Sequence, residues 1–402
     1  MQSKAKKLIE MIQTAPVEWK PLGEVAEIGT GSSNRQDEEH DGEYPFYVRS
    51  KNILRSSTYQ FNETAIIIPG EGGIGDIFHY VEGKYALHQR AYRVHVVIPD
   101  LSPKFLYYFM NVDFKRYIQA KSVGATATSI RKPMLQRFPI PIPPLETQQE
   151  IVKILDKFTE LEATLEAELA LRKRQYQYYR DFLLDFDNQI EGGIADGYKG
   201  RLKDVVWKTL GEVFDLKNGY TPSKSNKEYW ENGSIPWFRM EDIRENGRIL
   251  DNSLKHISKS AVKGGKLFPA KSIMMSTTAT IGEHALIKVN YISNQQLTNF
   301  TIKDEFKDAL DINFAFYYFF IIAEQSKKLI NTSSLPIISM KELKKLKIPI
   351  PPLPEQEKIA AILDKFDTLT HSISEGLPHE VALRRKQYEY YREQLLAFPK
   401  AA

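Results

Sequence analysis

The hexapeptide Ile140-Pro-Ile-Pro-Pro-Leu145 returns, 208 residues later, as Ile348-Pro-Ile-Pro-Pro-Leu353. Residues that precede proline are driven to extended geometry, so no helix can run through either copy. Each copy therefore closes one globular part and opens a new element. What opens is a long helical pattern with Ile-Leu-Asp-Lys-Phe near its head, at 154–158 and 362–366. Both patterns end in a basic, tyrosine-rich turn, Leu171-Arg-Lys-Arg-Gln-Tyr-Gln-Tyr-Tyr-Arg180 and Leu383-Arg-Arg-Lys-Gln-Tyr-Glu-Tyr-Tyr-Arg392. Of the 22 positions aligned from Ile140 and Ile348, 14 are identical, as are 10 of the 16 from Leu171 and Leu383. The segments upstream are related far more loosely. One chain thus carries two nearly equal helices and two unequal globular parts.

The helical segments carry coiled-coil seams. Ile151, Ile154, Phe158, Leu161, Leu165, Leu169, Tyr176, Tyr179, Leu183 and Phe186 fall mostly at alternating three- and four-residue steps. The second series runs Ile359, Ile362, Phe366, Leu369, Ile373, Leu377, Val381, Tyr388, Tyr391, Leu395 and Phe398. Four extra residues near Gly376 form a stutter that keeps this seam in phase, while Gly376 and Pro378 predict a kink or break. Packed antiparallel, the two helices bury their stripes on each other and create an internal pseudo-two-fold axis. Packing alone does not require the outward-facing residues around Arg172 and Arg384 to match. Their match predicts that each helix end docks one copy of the same partner subunit. The residues expected at the helix seam or partner interface are Ile154, Phe158, Arg172, Tyr176 and Tyr179, with Ile362, Phe366, Arg384, Tyr388 and Tyr391.

A chain of 402 residues exceeds one hydrophobic core, so at least two domains are expected. The opening Trp19-Lys-Pro-Leu-Gly-Glu-Val25 is echoed by Trp207-Lys-Thr-Leu-Gly-Glu-Val213. In each part a strand-like run leads to an Ile-Gly turn, at Ile74-Gly75 and Ile281-Gly282. An aromatic helix follows, around Leu106–Phe109 and Phe316–Phe319. The expected boundaries are an N-terminal helix (1–18), a first globular part (19–149) and a central long helix (150–187). A glycine-rich linker (188–206), a second globular part (207–357) and a C-terminal long helix (358–402) follow. The fold class is α+β, with two α/β domains joined by two long antiparallel coiled-coil helices. No apolar run reaches the length of a membrane span, and the first residues carry charge without the apolar stretch of a signal peptide. Zero cysteines exclude disulfides and thiolate metal sites and fit a cytoplasmic protein.

The formal charge of +4 is too small to indicate nucleic acid by itself, but its distribution is informative. Between Phe114 and Leu145 lie Lys115, Arg116, Lys121, Arg131, Lys132 and Arg137 with no acidic residue. The equivalent stretch from Gln325 to Leu353 holds Lys327, Lys328, Lys341, Lys344, Lys345 and Lys347 against Glu342 alone. Hydroxylated runs that suit phosphate oxygens, 126–129 with Thr126 and Thr128, and 332–334 with Ser333 and Ser334, sit in the same places. A charge run is usually a solvated face; the same run at the same place in both repeats favours DNA.

With these features in hand, the sequence resembles the specificity subunit of Type I restriction–modification systems over nearly its whole length. The resemblance rests on the Trp-x-x-Leu-Gly-Glu-Val openings, the Ile235-Pro-Trp-Phe-Arg-Met-Glu-Asp-Ile243 run, the strand into Ile-Gly, and above all the doubled Ile-Pro-Ile-Pro-Pro-Leu unit. It implies two target-recognition domains, each reading half of a split double-stranded DNA site. It also implies helices that set the spacing and bind two methyltransferase subunits, with restriction subunits joining the larger complex. S-adenosylmethionine, ATP and Mg²⁺ are then expected on those partners and no cofactor on this chain. Placed on this sequence, the base-reading candidates are Arg49, Lys51, Asn52, Arg239, Glu241 and Asp242 after the two Pro-aromatic strands. Glu71, Thr277 and Thr278 come from the Ile-Gly turns, and Gln89, Arg90, Gln295 and Gln296 from the matching His88-Gln89 and Asn294-Gln295 pairs. Arg and Lys suit guanine and Asn and Gln suit adenine in the major groove. Lys121, Thr126, Thr128, Arg131, Lys132, Ser333, Ser334 and Lys341 complete the DNA-facing set. One departure is that Tyr44-Pro-Phe-Tyr-Val-Arg49 stands where the second domain has Ile235-Pro-Trp-Phe-Arg239.

Other chemistry has weaker support. Glu71-Gly-Gly-Ile-Gly75 resembles the glycine loop of an S-adenosylmethionine site, but its partner Thr278-Ala-Thr-Ile-Gly282 lacks two of those glycines. No Asp/Asn-Pro-Pro-aromatic catalytic motif occurs. Asp100 and Asp113 have the spacing of a metal nuclease, yet the second repeat lacks the set. No Gly-Lys-Ser/Thr loop or paired-histidine ligand spacing is present. The expectation is a chain without catalysis of its own. A stand-alone methyltransferase or nuclease, and a coiled-coil protein with no DNA role, are the alternatives.

Overall fold

Alternation along the central strands decides how each sheet is covered. In the first domain Ile66 and Ile68 enter the core shared with the helices, while Ala65 and Ile67 enter a second cluster with Tyr47, Tyr85 and Leu87. In the second domain Ile273 and Met275 take the helix side, and Met274 packs with Phe238, Tyr291 and Leu297. A strand buried on both faces reads as a continuous apolar run, which is what both segments show. The computed structural model describes residues 2–14, 17–121, 129–186, 204–329, 336–372 and 374–399. It divides into a unit of residues 1–165 with 381–402 and a unit of residues 166–380.

In the first unit a six-stranded sheet runs in the order Ala26–Thr30, Ala91–Val96, Phe61–Pro69, His79–Leu87, Tyr44–Tyr47, Leu54–Ser56. Its pairings are antiparallel except that Tyr44–Tyr47 lies parallel to His79–Leu87. The proline-rich lead-in is a strand, Pro139–Ile142, paired with Glu18–Pro21 so that Trp19 faces Pro141. The helices Gln2–Thr14 and Pro103–Lys121 pack on the sheet with the start of the helix Leu145–Leu184. The end of the chain closes the same core: Phe398 meets Phe105 edge to face, and Trp19 Nε1 donates to the Pro399 carbonyl at 3.0 Å.

The second unit repeats this plan with shorter strands. A five-stranded sheet runs Phe214–Asn218, Leu297–Ile302, Ser272–Ser276, His284–Ile287, Ile249–Leu250, beside a three-stranded sheet centred on Ile235–Phe238. Lys347–Ile350 pairs with Val206–Thr209, and Trp207 faces Pro349 as Trp19 faces Pro141. Thr209 caps the helical turn Leu210–Val213 in a capping box with Glu212. Backbone and side-chain donation from Thr209 holds that carboxyl down at about 2. The aromatic helix is Ile312–Lys328. Its Tyr317 hydroxyl donates to Asp364 at 2.6 Å, as that of Tyr108 donates to Asp156 at 2.5 Å. Tyr108 and Tyr317 are therefore equivalent, which sets the look-alike aromatic runs one residue out of register.

The long helices start earlier than their seams suggested. The central one begins at Leu145, immediately after Pro144, and the C-terminal one at Leu353. The second is broken: Leu353–His371 ends at Ser372, and Gly376–Leu395 resumes at the Gly376 that sequence marked as a breaker. The seams are antiparallel and use equivalent residues in each unit. In the first, Phe158 stacks on Tyr391 at 5.4 Å and lies 6.4 Å from Tyr388. In the second, Phe366 stacks on Tyr179 at 5.4 Å and lies 6.4 Å from Tyr176. Such a pair contributes roughly 0.5–1.5 kcal/mol beyond burial.

Candidate nucleic-acid interface

In the first domain the loop after strand Ala26–Thr30, the end of Tyr44–Tyr47 and the Ile-Gly turn enclose a cleft of about 860 Å³. Three expected reading residues, Arg49, Asn52 and Glu71, line it together with Arg35, Ser50 and His88. Glu71 bridges two guanidiniums, pairing with Arg49 and accepting from Arg90 at 2.8 Å. The Arg90 hydrogen bond, supported by both positive charges, holds its carboxyl below the ordinary range. Glu71 therefore aims the two arginines rather than standing open to a base. Lys51 is exposed beside the cleft. Gln89 is exposed, and its amide bonds Asn34 in the loop above. Arg131 and Lys132 are exposed at the start of the helical turn Lys132–Gln136.

His88 is not a surface group. It is 7% exposed, and its Nδ1 accepts from the Arg90 amide at 3.0 Å. Burial, with the charges of Arg49 and Arg90, lowers its pKa and favours the neutral acceptor. Asn294 does the same in the second domain, accepting from the Gln296 amide at 3.1 Å. Both residues also donate their own amide, to Tyr47 and to Phe238, at 2.9 Å. The two pairs thus shape one turn that presents Gln89 and Arg90 here, and Gln295 and Gln296 there.

The second domain corrects several sequence expectations. Asp242 is fully buried; its carboxylate accepts from the amides of Arg239 at 2.7 Å and Leu254 at 2.6 Å, so it pins the turn instead of facing DNA. Thr277 is buried with its hydroxyl 3.2 Å from that of Thr298. The hydroxyl of Thr278 is also shut away, without a partner among the described residues. Arg239 is partly buried, its guanidinium 3.8 Å from Glu241. Gln295, Gln296 and Lys341 are exposed, and Gln295 accepts from Thr221. Lys121 closes the helix Pro103–Lys121, but its side chain, like Thr126, Thr128, Ser333 and Ser334, lies outside the described residues. Much of the remaining basic run is paired locally, as in Lys115 with Asp76, Lys327 with Glu324 and Lys345 with Glu342.

The Ile-Gly turns have a packing explanation. Gly75 has φ +77° and Gly282 φ +92°, and a Cβ there would meet the backbone of Lys115 or Ala323 at 2.9 or 3.0 Å. Both glycines exist so that the turn can touch the aromatic helix. Each turn also makes an isolated antiparallel bridge, Glu71 to Ser129 and Thr278 to Ile337. Asp113, the carboxylate considered for a nuclease, lies mid-helix, 3.6 Å from Arg116.

On the helices the residues expected at a partner interface divide in two. Ile154, Phe158, Tyr176 and Tyr391 are buried in the seams, and Ile362, Phe366, Tyr179 and Tyr388 pack beside them. Arg172 and Arg384 each bond the glutamine three residues on, at 2.9 and 3.1 Å. The exposed apolar residues are others: Leu171 (65%) and Tyr178 (63%), with their equivalents Leu383 (47%) and Tyr390 (59%). Their match outside the seam positions was the signal that could have singled them out.

A family model described as the Type I restriction modification DNA specificity domain matches residues 16–171 and again 203–383. The chain is 35% identical to the EcoR124I/EcoR124II specificity subunit of Escherichia coli, over 98% of this chain and 97% of that one. It is 53% identical to the EcoprrI specificity subunit of the same species, over 48% of this chain and 50% of that one. Among solved structures, the Type I S subunit from M. genitalium superposes with a TM-score of 0.60, at 15% identity and over 97% and 98% of the two chains. A chain from a study of Type I complex assembly and conformational transition gives 0.58, at 18% identity and over 96% and 98%. These likenesses show the fold. With the doubled family match and full-length relatives, they establish that this chain belongs to the family of Type I restriction–modification DNA specificity subunits.

Proposed function

We propose that the chain is the non-catalytic DNA-recognition subunit of a Type I complex, each domain reading one half of a bipartite duplex target. The observation that carries this is a pair of clefts at equivalent places in the two repeats with unlike linings. One is built on Arg49, Asn52 and Glu71, the other on lysines, Arg239 and tryptophan. Equivalent position supports the same task, and unlike chemistry supports different half-sites. The helices, with matching exposed residues, would carry two methyltransferase subunits that flip and modify an adenine in each half. Methyl transfer with S-adenosylmethionine, and ATP- and Mg²⁺-dependent restriction, belong in this reading to the partners.

The test is methylome sequencing of cells that carry this chain with its methyltransferase partner. Two unlike half-sites separated by unspecified bases are expected; a single continuous motif, or no methylation, overturns the reading. Incubating the isolated chain with labelled methyl donor, or with DNA and Mg²⁺, should give no turnover. Turnover in either assay would instead favour an enzyme.

A further inference from the structure

In the second domain a cleft of about 380 Å³ opens between the loop of residues 219–231 and the end of strand Ile235–Phe238. Lys224, Lys227, Lys255 and Arg239 line it, against the single carboxylate of Glu231. None of the three lysines makes an ion pair among the described residues, and all three are exposed. Trp230 and Trp237 form its wall, edge to face at 4.9 Å. Both indole N–H groups are already committed, to the carbonyls of Ser223 and Tyr220 at 3.0 Å, so the rings brace the loop. The Arg239 guanidinium lies 5.6 Å from the Trp237 ring, and its Nε is buried without a partner.

The loop has a counterpart in the first domain. It leaves the sheet at Gly219 where the other leaves at Gly31, and a Cβ at either would strike the carbonyl of Ser293 or Leu87, at 2.1 or 1.8 Å. Each loop contains one 3₁₀ turn, Lys227–Tyr229 or Arg35–Asp37, that brings a cation to the cleft. Each is tied to a reading candidate, Thr221 to Gln295 and Asn34 to Gln89. Sequence reasoning assigned this loop nothing in either domain.

We infer that Lys224, Lys227 and Lys255 grip phosphodiester oxygens of the duplex beside the second half-site, in a site that is independent of base sequence. Lysine is a point charge on a flexible stem, which suits phosphate and reads no base edge. The tryptophan pair fixes the loop so that the three charges converge, and Arg239 at the cleft's edge is left to the bases. The first domain places Arg35 in the same position but sets beside it Arg49, held by Glu71, and Asn52, side chains suited to base edges. The second domain would therefore supply the larger share of sequence-independent affinity.

This rests on the DNA-recognition reading, and the experiment separates the two. The full chain, bound to its methyltransferase partner, is titrated with a random-sequence duplex between about 50 and 200 mM salt. Lys224→Ala/Lys227→Ala should weaken binding several-fold and reduce the log–log salt slope by about one unit per lysine. Lys227→Arg should keep the slope, and the methylated sequence should not change. An unaltered slope, a changed second half-site, or tighter binding of single-stranded than duplex DNA overturns the inference. Absence of duplex binding by the unmodified complex overturns the DNA reading itself.

Discussion

Gln148 and Gln356 are both fully buried, and each makes the same three hydrogen bonds. Gln148 donates to the carbonyls of Asp100 and Pro143 and accepts from the amide of Ser102. Gln356 does the same with Ala309, Pro351 and Asp311. One side chain thus satisfies the loop that enters the aromatic helix and the proline-rich corner together. His284 is a buried polar group of another kind. It sits among Phe316, Phe319 and Phe320, donates from Nδ1 to the Gly282 carbonyl, and is held by burial at a pKa of about 3. The unfolded chain protonates this ring near pH 6.5 and the folded chain does not. Stability should therefore fall as pH drops from about 6.5 toward 3, by up to roughly 1.4 kcal/mol per pH unit. Chemical denaturation at stepped pH checks this, and His284→Gln should flatten the dependence in that window. Residue roles of this sort were hidden from sequence, because burial depends on distant neighbours. Asp242 has the sequence position of a reading residue, but its carboxylate is taken by the Leu254 amide twelve positions away. That Arg49, Asn52 and Glu71 come together in one cleft was legible, because a Pro-aromatic strand and an Ile-Gly turn mark where loops begin.

At the level of elements, helices were the most legible part of the chain, since a three-and-four apolar spacing is local information. Phe158, Phe366 and their tyrosines followed from it. The same spacing drew attention away from Leu171 and Tyr178, which lie two turns apart on one helix face outside the seam. That pair and its repeat, Leu383 and Tyr390, leave two equivalent apolar patches exposed, which in the proposed function would each take one copy of the same partner. Leu171→Ala/Tyr178→Ala should lower one methyltransferase affinity at least ~10-fold, about 1.4 kcal/mol, leaving a one-to-one complex. Adding Leu383→Ala/Tyr390→Ala should abolish the second. Mass measurement of the reconstituted complex checks the count, and an intact two-to-one complex with all four substitutions would refute it. Strand boundaries were less readable. Elements as short as Ile292–Ser293 are fixed by their neighbour Ile235–Phe238 and not by their own composition.

For the whole molecule, the duplication visible in sequence accounts for the doubled architecture, down to Trp19 and Trp207 facing equivalent prolines. What it did not reveal is how the chain is shared out between the units. The helix Leu145–Leu184 runs unbroken through the tandem Leu161-Glu-Ala-Thr164 and Leu165-Glu-Ala-Glu168. Inserting one more such unit adds about 6 Å and roughly 40° of rotation to a regular helix. At about 3.4 Å per base pair, the unspecified spacer should lengthen by roughly one or two pairs while both half-sites stay the same. Methylome sequencing of the insertion variant reads both quantities, and an altered half-site with an unchanged spacer would contradict the prediction. The first unit also draws on both extremities of the chain: Phe158 leans on Tyr391, Phe105 on Phe398, and Trp19 on the Pro399 carbonyl. A nascent polypeptide therefore cannot complete the domain it makes first until residues 381–399 have left the ribosome. Products terminated before those residues would leave that core unfinished and open to cellular proteases.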